Sequence, residues 1–341
     1  MGLIRILPLS ALAILLSVNM ACTEERNPGV IDQEILVQGE SRTFRLVIPA
    51  KGTQEKRMPL VIALHGGGTN GRSMERFSGL DDAADKHGFI VIYPDGSGRK
   101  KRILTWNSGS CCGFAKNKNV DDVGFIRALI ELLVARYGAD PARVYVTGIS
   151  NGAMMAYRLA AEIPDRIAAV AAVAGTLEID PALIRAPVPV LHFHGTADPY
   201  VPFEGGRGPR SAEGLQFRSV PDTIAVWVRA AGADPEPEVE ELLDLQDDGT
   251  RVIRYSYGTN EDPQRVVLYK IVGGGHTWPG RPKAERVLGR ATLEVSANDL
   301  MWEFFRRHAR IPTSRDLDRD KERGIMPESA EVPDDTTLHA R

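Results

Sequence analysis

The chain of 341 residues predicts an α/β domain with a mostly parallel central sheet and helices on both faces. Two observations carry that prediction. Short apolar runs alternate with amphipathic stretches from about residue 31 to residue 310. Several of the apolar runs, such as Leu60 to Leu64, Phe89 to Tyr93 and Ile167 to Ala174, are continuous instead of alternating, as strands covered on both faces require.

Taken in order, Glu34 to Val37 and Thr43 to Ile48 read as two strands joined by the turn Gly39-Glu40-Ser41. Leu60 to Leu64 is a buried strand feeding the loop His65-Gly66-Gly67-Gly68. Met74 to His87 reads as one helix closed by Gly88, and Phe89 to Tyr93 as the next strand, stopped by Pro94-Asp95-Gly96. Ser97 to Asn119 shows no periodicity and is expected to be irregular. Val120 to Tyr137 is a helix with Asp121 and Asp122 at its dipole-favoured start. Arg143 to Thr147 is a strand, Ala153 to Ala161 a helix, and Ile167 to Ala174 and Val188 to Phe193 are buried strands. Asp222 to Ala231 is helical, Val252 to Tyr257 and Arg265 to Ile271 are strands, and Leu293 to Arg307 is the closing helix. Residues 311–341 are charged, contain prolines and lack large apolar side chains in number, so they read as a polar tail outside the fold.

The first residues read as an export leader. Met1 to Arg5 is a short basic start, Ile6 to Val18 is almost purely apolar, and the chain turns polar from Thr23. The apolar stretch is shorter than the ~20 residues of a spanning helix. Cys22 follows the small residue Ala21, as at a lipoprotein cleavage site, although Asn19 stands where such sites favour leucine. Three outcomes follow from residues 1–22: a lipid on Cys22 that attaches the mature protein to a membrane, cleavage near Ala21 and free release, or an uncleaved anchor. Each of them places the protein outside the cell or in its envelope. The other two of the three cysteines, Cys111 and Cys112, are adjacent. That excludes a disulfide framework and leaves a bond between these neighbours, or two buried thiols. A net charge of −3 lacks the basic excess of a nucleic-acid binder.

The strongest chemical signal is Gly148-Ile149-Ser150-Asn151-Gly152, set between a strand and a helix. A serine on so sharp a turn is lifted out of the sheet, and the glycines let strand and helix close around it. This is the nucleophile elbow of the α/β-hydrolase fold, and Ser150 is the expected nucleophile. A serine hydroxyl needs a base, and the base needs an orienting acid. In this fold the acid precedes the histidine. Asp198, after the strand Val188 to Phe193, is the expected acid. His276, in the glycine-rich loop Gly273 to Gly280 after the last strand, is the expected base. The loop after Leu64 would supply oxyanion donors from Gly66 and Gly67, with the N–H of Asn151 as a further donor. His192 and His194 share a strand face but lack a third ligand at metal spacing. They read as packing residues, and no metal or cofactor is expected.

These segments resemble the polyhydroxybutyrate-depolymerase and feruloyl-esterase group of α/β-hydrolases. The resemblance runs through Leu64 to Gly68, Tyr93 to Gly96, Trp106-Asn107, Cys111-Cys112-Gly113, Val120 to Phe125, Arg143 to Tyr157, His194 to Pro202 and Gly274 to Gly280. It implies a serine esterase with the triad Ser150, Asp198 and His276, and it places Trp278 and Trp106 near the acyl pocket. The expected partner is an ester: a small molecule, an oligomer or an esterified polysaccharide. No aromatic-rich adsorbing module follows the closing helix, so soluble short-chain, hydroxyacyl or aromatic esters are expected over solid polymer. Two other readings stand beside this one, a catalytically silent ligand-binding lipoprotein and a peptidase on the same fold.

Overall fold

The structure is a computed structural model and describes residues 29–49, 57–259, 262 and 265–311. The leader, Cys22 and all of the polar tail but Ile311 lie outside the described residues. The strands are β1 (Gly29–Val37), β2 (Glu40–Ile48), β3 (Met58–Leu64), β4 (Ile90–Pro94), β5 (Ser97–Lys100), β6 (Ile103–Thr105), β7 (Ala139–Ile149), β8 (Ala169–Val173), β9 (Val190–Gly195), β10 (Glu238–Glu241), β11 (Arg251–Tyr257) and β12 (Val266–Val272). Ten of them form one sheet in the order β1-β2-β4-β3-β7-β8-β9-β12-β11-β10. From β4 to β12 the neighbours run parallel. Antiparallel strands flank that centre on both sides.

The helices are α1 (Gly71–Ser78), α2 (Leu80–His87), α3 (Gly113–Asn117), α4 (Asp122–Arg136), α5 (Asn151–Glu162), α6 (Val220–Ala231), α7 (Glu285–Leu288) and α8 (Ala297–Phe305). Their placement explains the continuous apolar runs. Successive residues of β3 point to opposite faces. Leu60, Ile62 and Leu64 join a core with Phe125 and Leu129 of α4, Leu159 of α5 and Trp227 of α6. Val61 and Ala63 join the opposite core, with Leu80 and Ala84 of α2 and Met301 and Phe304 of α8. Both faces are dry, so every position of the strand must be apolar. This is the α/β-hydrolase architecture.

Three departures from the sequence expectation have local causes. The single helix expected from Met74 to His87 is two helices. Gly79 adopts a left-handed φ of 59° and returns its N–H to Glu75 O, which ends α1 before α2 begins. The segment 97–119 holds the β5–β6 hairpin and α3, neither of which has an apolar face long enough to show a period. β10 is an all-exposed Glu-Val-Glu-Glu edge strand, held by backbone pairing with β11 and therefore silent in hydrophobic patterning.

Candidate active site

Four loops leave the carboxyl ends of β3, β7, β9 and β12, the side of an open parallel sheet where ligand sites form. Ser150 stands between β7 and α5 with φ 58° and ψ −124°, a left-handed backbone unusual for a residue with a side chain. Its N–H donates to Val173 O at 2.9 Å, which ties the turn to β8. Gly152 must be glycine, because a Cβ there would overlap the carbonyl oxygens of Leu64 and His65. The elbow and the loop after β3 are therefore in backbone contact.

Asp198 sits in a tight turn begun by Gly195, whose missing side chain lets this loop close on Gly274 and Gly275 of the loop after β12. Ala197 N donates to Gly274 O at 2.9 Å across that contact. Asp198 Oδ1 accepts from Tyr200 N at 2.8 Å and Val201 N at 2.9 Å, so the carboxylate caps its own turn. Its Oδ2 accepts from His276 Nδ1 at 2.7 Å. Burial alone would raise the Asp198 carboxyl, but His276, by attraction and by hydrogen bonding, together with His194 and the Val201 N–H, holds it below its ordinary value. An ionised carboxylate only accepts, so the imidazole proton sits on Nδ1 and Nε2 is left as the acceptor.

His276 and Ser150 line one cavity of about 390 Å³. Gly66 and Gly67 line it too, and Cβ atoms added at them would lie 3.5 Å from the Cβ atoms of Ser150 and Asn151 respectively. Asn151 opens α5, where the first N–H groups lack intrahelical acceptors. Its side chain is engaged elsewhere: Oδ1 accepts from Trp106 N at 2.7 Å, and Nδ2 donates to Trp106 O and Ser108 Oγ, each at 3.1 Å. A serine hydroxyl at the start of a helix and an imidazole backed by a carboxylate, sharing one cavity with a glycine loop, can together run nucleophilic acyl transfer.

His65 does more than precede a glycine loop. Its Nε2 accepts from Gly96 N at 3.0 Å, so Nδ1 carries the proton and donates to Gly66 O at 2.8 Å. That bond fixes the plane of the Gly66–Gly67 peptide. Burial pushes the imidazole down to about 4, leaving it neutral. The sequence gives no sign of this clamp, because Gly96 lies thirty-one positions away.

The two tryptophans expected near the acyl pocket do not line this cavity. Trp278 is fully buried, donates from Nε1 to Asn298 Oδ1 at 2.9 Å and meets Phe77 edge-on at 6.5 Å. Phe77 reaches the cavity, as Tyr200 does, with Trp278 one layer behind Phe77. Trp106 is also fully buried and donates to His65 O at 2.9 Å, next to the Gly66–Gly67 loop. The cavity wall is instead Met74 and Phe77 of α1, Ile149, Tyr200, Ala284 and Leu288. Tyr200 stands 5.1 Å from the His276 ring. A larger groove of about 960 Å³ runs along β1, β2 and α1, lined mainly by charged and polar side chains. Arg45 there is already engaged by Asp32 and Glu75, and Ser73 is common to both cavities.

The Cys111 and Cys112 sulfurs are brought into bonding contact beside Met154, Val201 and Phe217. Their loop is tied back to the elbow, since Ser108 Oγ donates to Cys111 O and accepts from Asn151.

Residues 43–235 match the family model described as Esterase PHB depolymerase. The chain belongs to that family. NocK of Nocardia uniformis subsp. tsuyamanensis, a protein assigned as an esterase, is 35% identical over 284 residues, which is 80% of this chain and 81% of that protein. Feruloyl esterase B of Piromyces equi is 30% identical over 197 residues, 56% of this chain but only 35% of that longer protein. Among solved structures, an acetyl xylan esterase from Aspergillus awamori superposes with a TM-score of 0.56 at 18% identity, covering 81% of this chain and 98% of that one. The last likeness is one of fold. With the family shown, this member of the Esterase PHB depolymerase family is a carboxylic ester hydrolase.

Proposed function

We propose that this esterase works through an acyl-enzyme on Ser150, with His276 as base and Asp198 as acid. Ser150 Oγ attacks the ester carbonyl carbon while its proton passes to His276 Nε2. The developing oxyanion is met by N–H groups of the Gly66–Gly67 loop and Asn151. Collapse expels the alcohol, which leaves with the proton from His276, and water then attacks the acyl-serine by the same route in reverse. The observation that carries this reading is the 2.7 Å bond from His276 Nδ1 to Asp198, in an imidazole that shares one cavity with Ser150.

The substrate reading is a soluble ester with a short-chain, hydroxyacyl or aromatic acyl group, including feruloyl and acetyl esters of polysaccharides. A cavity of about 390 Å³ walled by Met74, Phe77, Ile149 and Leu288 offers apolar packing to a group of that size. The names of the feruloyl and acetyl xylan esterases agree with it. Residues 1–22 are read as an export leader, with Cys22 as a lipid attachment point or the leader cut at Ala21. No helix among the described residues is long and apolar enough to cross a membrane.

The test is a hydrolysis panel on the purified enzyme and on Ser150→Ala, with p-nitrophenyl esters of increasing chain length, methyl ferulate, acetylated xylan, hydroxybutyrate oligomers and a polyhydroxybutyrate film. Ser150→Ala should be inactive on all of them, and activity in that variant sinks the mechanism. Rapid clearing of the film with weak turnover of every soluble ester sinks the substrate reading.

A further inference from the structure

Tyr157, His192 and His194 are titratable, buried, and unused by the reaction above. β9 sets His192 and His194 two residues apart, so their rings share one face of the sheet and stack at 5.2 Å. The three side chains form a continuous hydrogen-bonded chain. Tyr157 Oη lies 2.6 Å from His192 Nδ1, and His192 Nε2 lies 3.1 Å from His194 Nδ1. His194 Nε2 lies 2.8 Å from Val201 O and 3.5 Å from Asp198 Oδ2. Trp227 of α6 closes the far end by stacking on Tyr157 at 5.7 Å.

The direction of the chain is set from the Asp198 end. The Val201 carbonyl and the Asp198 carboxylate can only accept, so the His194 proton is on Nε2. Burial pushes both imidazoles below their ordinary range, His192 the further of the two, so both are neutral. A neutral His194 offers Nδ1 as acceptor, which His192 Nε2–H fills. His192 Nδ1 then accepts the Tyr157 hydroxyl. Val201 joins this chain to the acid twice, since its N–H donates to Asp198 Oδ1 while its carbonyl accepts from His194.

We infer that His194 is a positioning residue for Asp198, holding the acid's turn through Val201 O and facing Oδ2 at 3.5 Å, with His192 and Tyr157 locking its tautomer. The inference rests on the reading of Asp198 as the acid. The His194 N–H, spent on Val201 O, still stands 3.5 Å from Asp198 Oδ2, and its positive end steadies charge on the carboxylate and so limits how firmly the carboxylate supports a proton on the imidazole. Without it, the Asp198–His276 pair holds its proton to higher pH. The charged or titratable groups around His194 are Asp198 in the loop after β9, His276 in the loop after β12, His192 on β9 and Lys270 of β12. Lys270 stands opposite His194 in the sheet, with its Nζ 5.0 Å from the Phe203 ring that His194 meets edge-on. Tyr157 reaches only His192.

The experiment uses the full chain and a p-nitrophenyl ester. His194→Phe keeps the ring volume and removes the N–H, His194→Gln restores an N–H near the Nε2 position, and Tyr157→Phe removes the far hydroxyl. His194→Phe should lower kcat about tenfold with KM within about twofold, and move the acid limb of kcat/KM up by about half a pH unit. His194→Gln should recover most of both effects, and Tyr157→Phe should show the same changes at smaller size. Ring nitrogen-15 spectra of the unsubstituted enzyme between about pH 5 and 8 should show both His192 and His194 neutral, with the proton on Nε2. A proton on Nδ1 of either ring overturns the inference, as does a folded His194→Phe enzyme with unchanged kcat and acid limb. If His194→Phe does not fold, an unchanged profile in folded Tyr157→Phe overturns it instead. Ser150→Ala serves as the separating control. Activity there defeats the triad reading, whereas an inactive Ser150→Ala beside unaltered His194 and Tyr157 variants defeats only this inference.

Discussion

Replacing Asp198 by Asn separates what the carboxylate holds from what it does. Oδ1 receives two backbone N–H groups, from Tyr200 and Val201, while Oδ2 faces His276 Nδ1 at 2.7 Å and His194 Nε2 at 3.5 Å. An asparagine must put its amide oxygen at the Oδ1 position, because its NH2 group there would oppose two donors that cannot turn away. Its Nδ2 is then aimed at a ring nitrogen that carries a proton. His276 relieves the conflict by moving that proton to Nε2, and in that tautomer it cannot accept the Ser150 proton. The loss is of chemistry, not of folding. We expect kcat to fall by about 10⁴, or about 5.5 kcal/mol at 1.36 kcal/mol per tenfold. The melting temperature should stay within a few degrees. Asp198→Ala is the contrasting variant, since it leaves both backbone N–H groups unpaired at about 1–3 kcal/mol each. Steady-state kinetics on p-nitrophenyl butyrate, with Ser150→Ala as background, and scanning calorimetry measure both quantities. An Asp198→Asn enzyme within about tenfold of the parent kcat refutes the tautomer argument.

At Gly67, valine should lower kcat on the order of 10²-fold with little change in KM, because its branches intrude between the loop donors and Asn151. Alanine there meets only Asn151 and should cost little, and equal kinetics for both variants would show that this loop is only a turn. Stability should fall in mild acid. Burial keeps His65, His192 and His194 neutral when folded, and they take up protons on unfolding below the ordinary imidazole value of about 6.5. His65 alone, held at about 4, withdraws about 3 kcal/mol by that pH, and a melting temperature flat from about pH 7 to 4.5 contradicts this. A Cys111–Cys112 bond should add about two mass units to the intact protein on reduction, and no shift means two thiols. The mature protein should begin at or near residue 22; a lipid on Cys22 should send it to the membrane fraction and Cys22→Ser should release it, whereas mature protein that still carries Met1 ends the leader reading.

What the sequence revealed of the fold and site is what local sterics impose. Gly152 has no room for a side chain, so the elbow around Ser150 is written in spacing alone. β3 faces two dry cores, so its burial shows as an unbroken apolar run. Asp198 and His276 could be singled out because both lie in loops that follow buried strands. The broken helix at Gly79 was written as well, but a lone glycine inside a helical pattern is ambiguous until the backbone around it is known. β10 has no apolar pattern to read, since an exposed edge strand is held by its backbone.

The cavity wall and the groups behind the acid could not be read, because they are assembled across distance. Met74 and Phe77 come from α1, Ile149 from the elbow, Tyr200 from the acid's turn and Leu288 from α7, and no sequence interval relates them. The resemblance set Trp278 and Trp106 near the pocket, and the structure has both one layer behind the cavity wall. Trp278 follows the base by two residues, yet Asn298 of α8 draws its indole N–H away from the cavity, and the contact with Phe77 turns it into a buttress. His194 was legible only as a packing residue, because its burial follows from β9 while its polar partners are His192 on the same strand and Val201 in the turn that carries Asp198. The same layering bears on specificity. Phe77 is backed by a fully buried tryptophan that a hydrogen bond holds in place, so it has little freedom to yield to a larger acyl group. Tyr200, by contrast, is only partly buried where it lines the cavity 5.1 Å from the His276 ring, so it has more freedom than Phe77 to adjust to differing substrates.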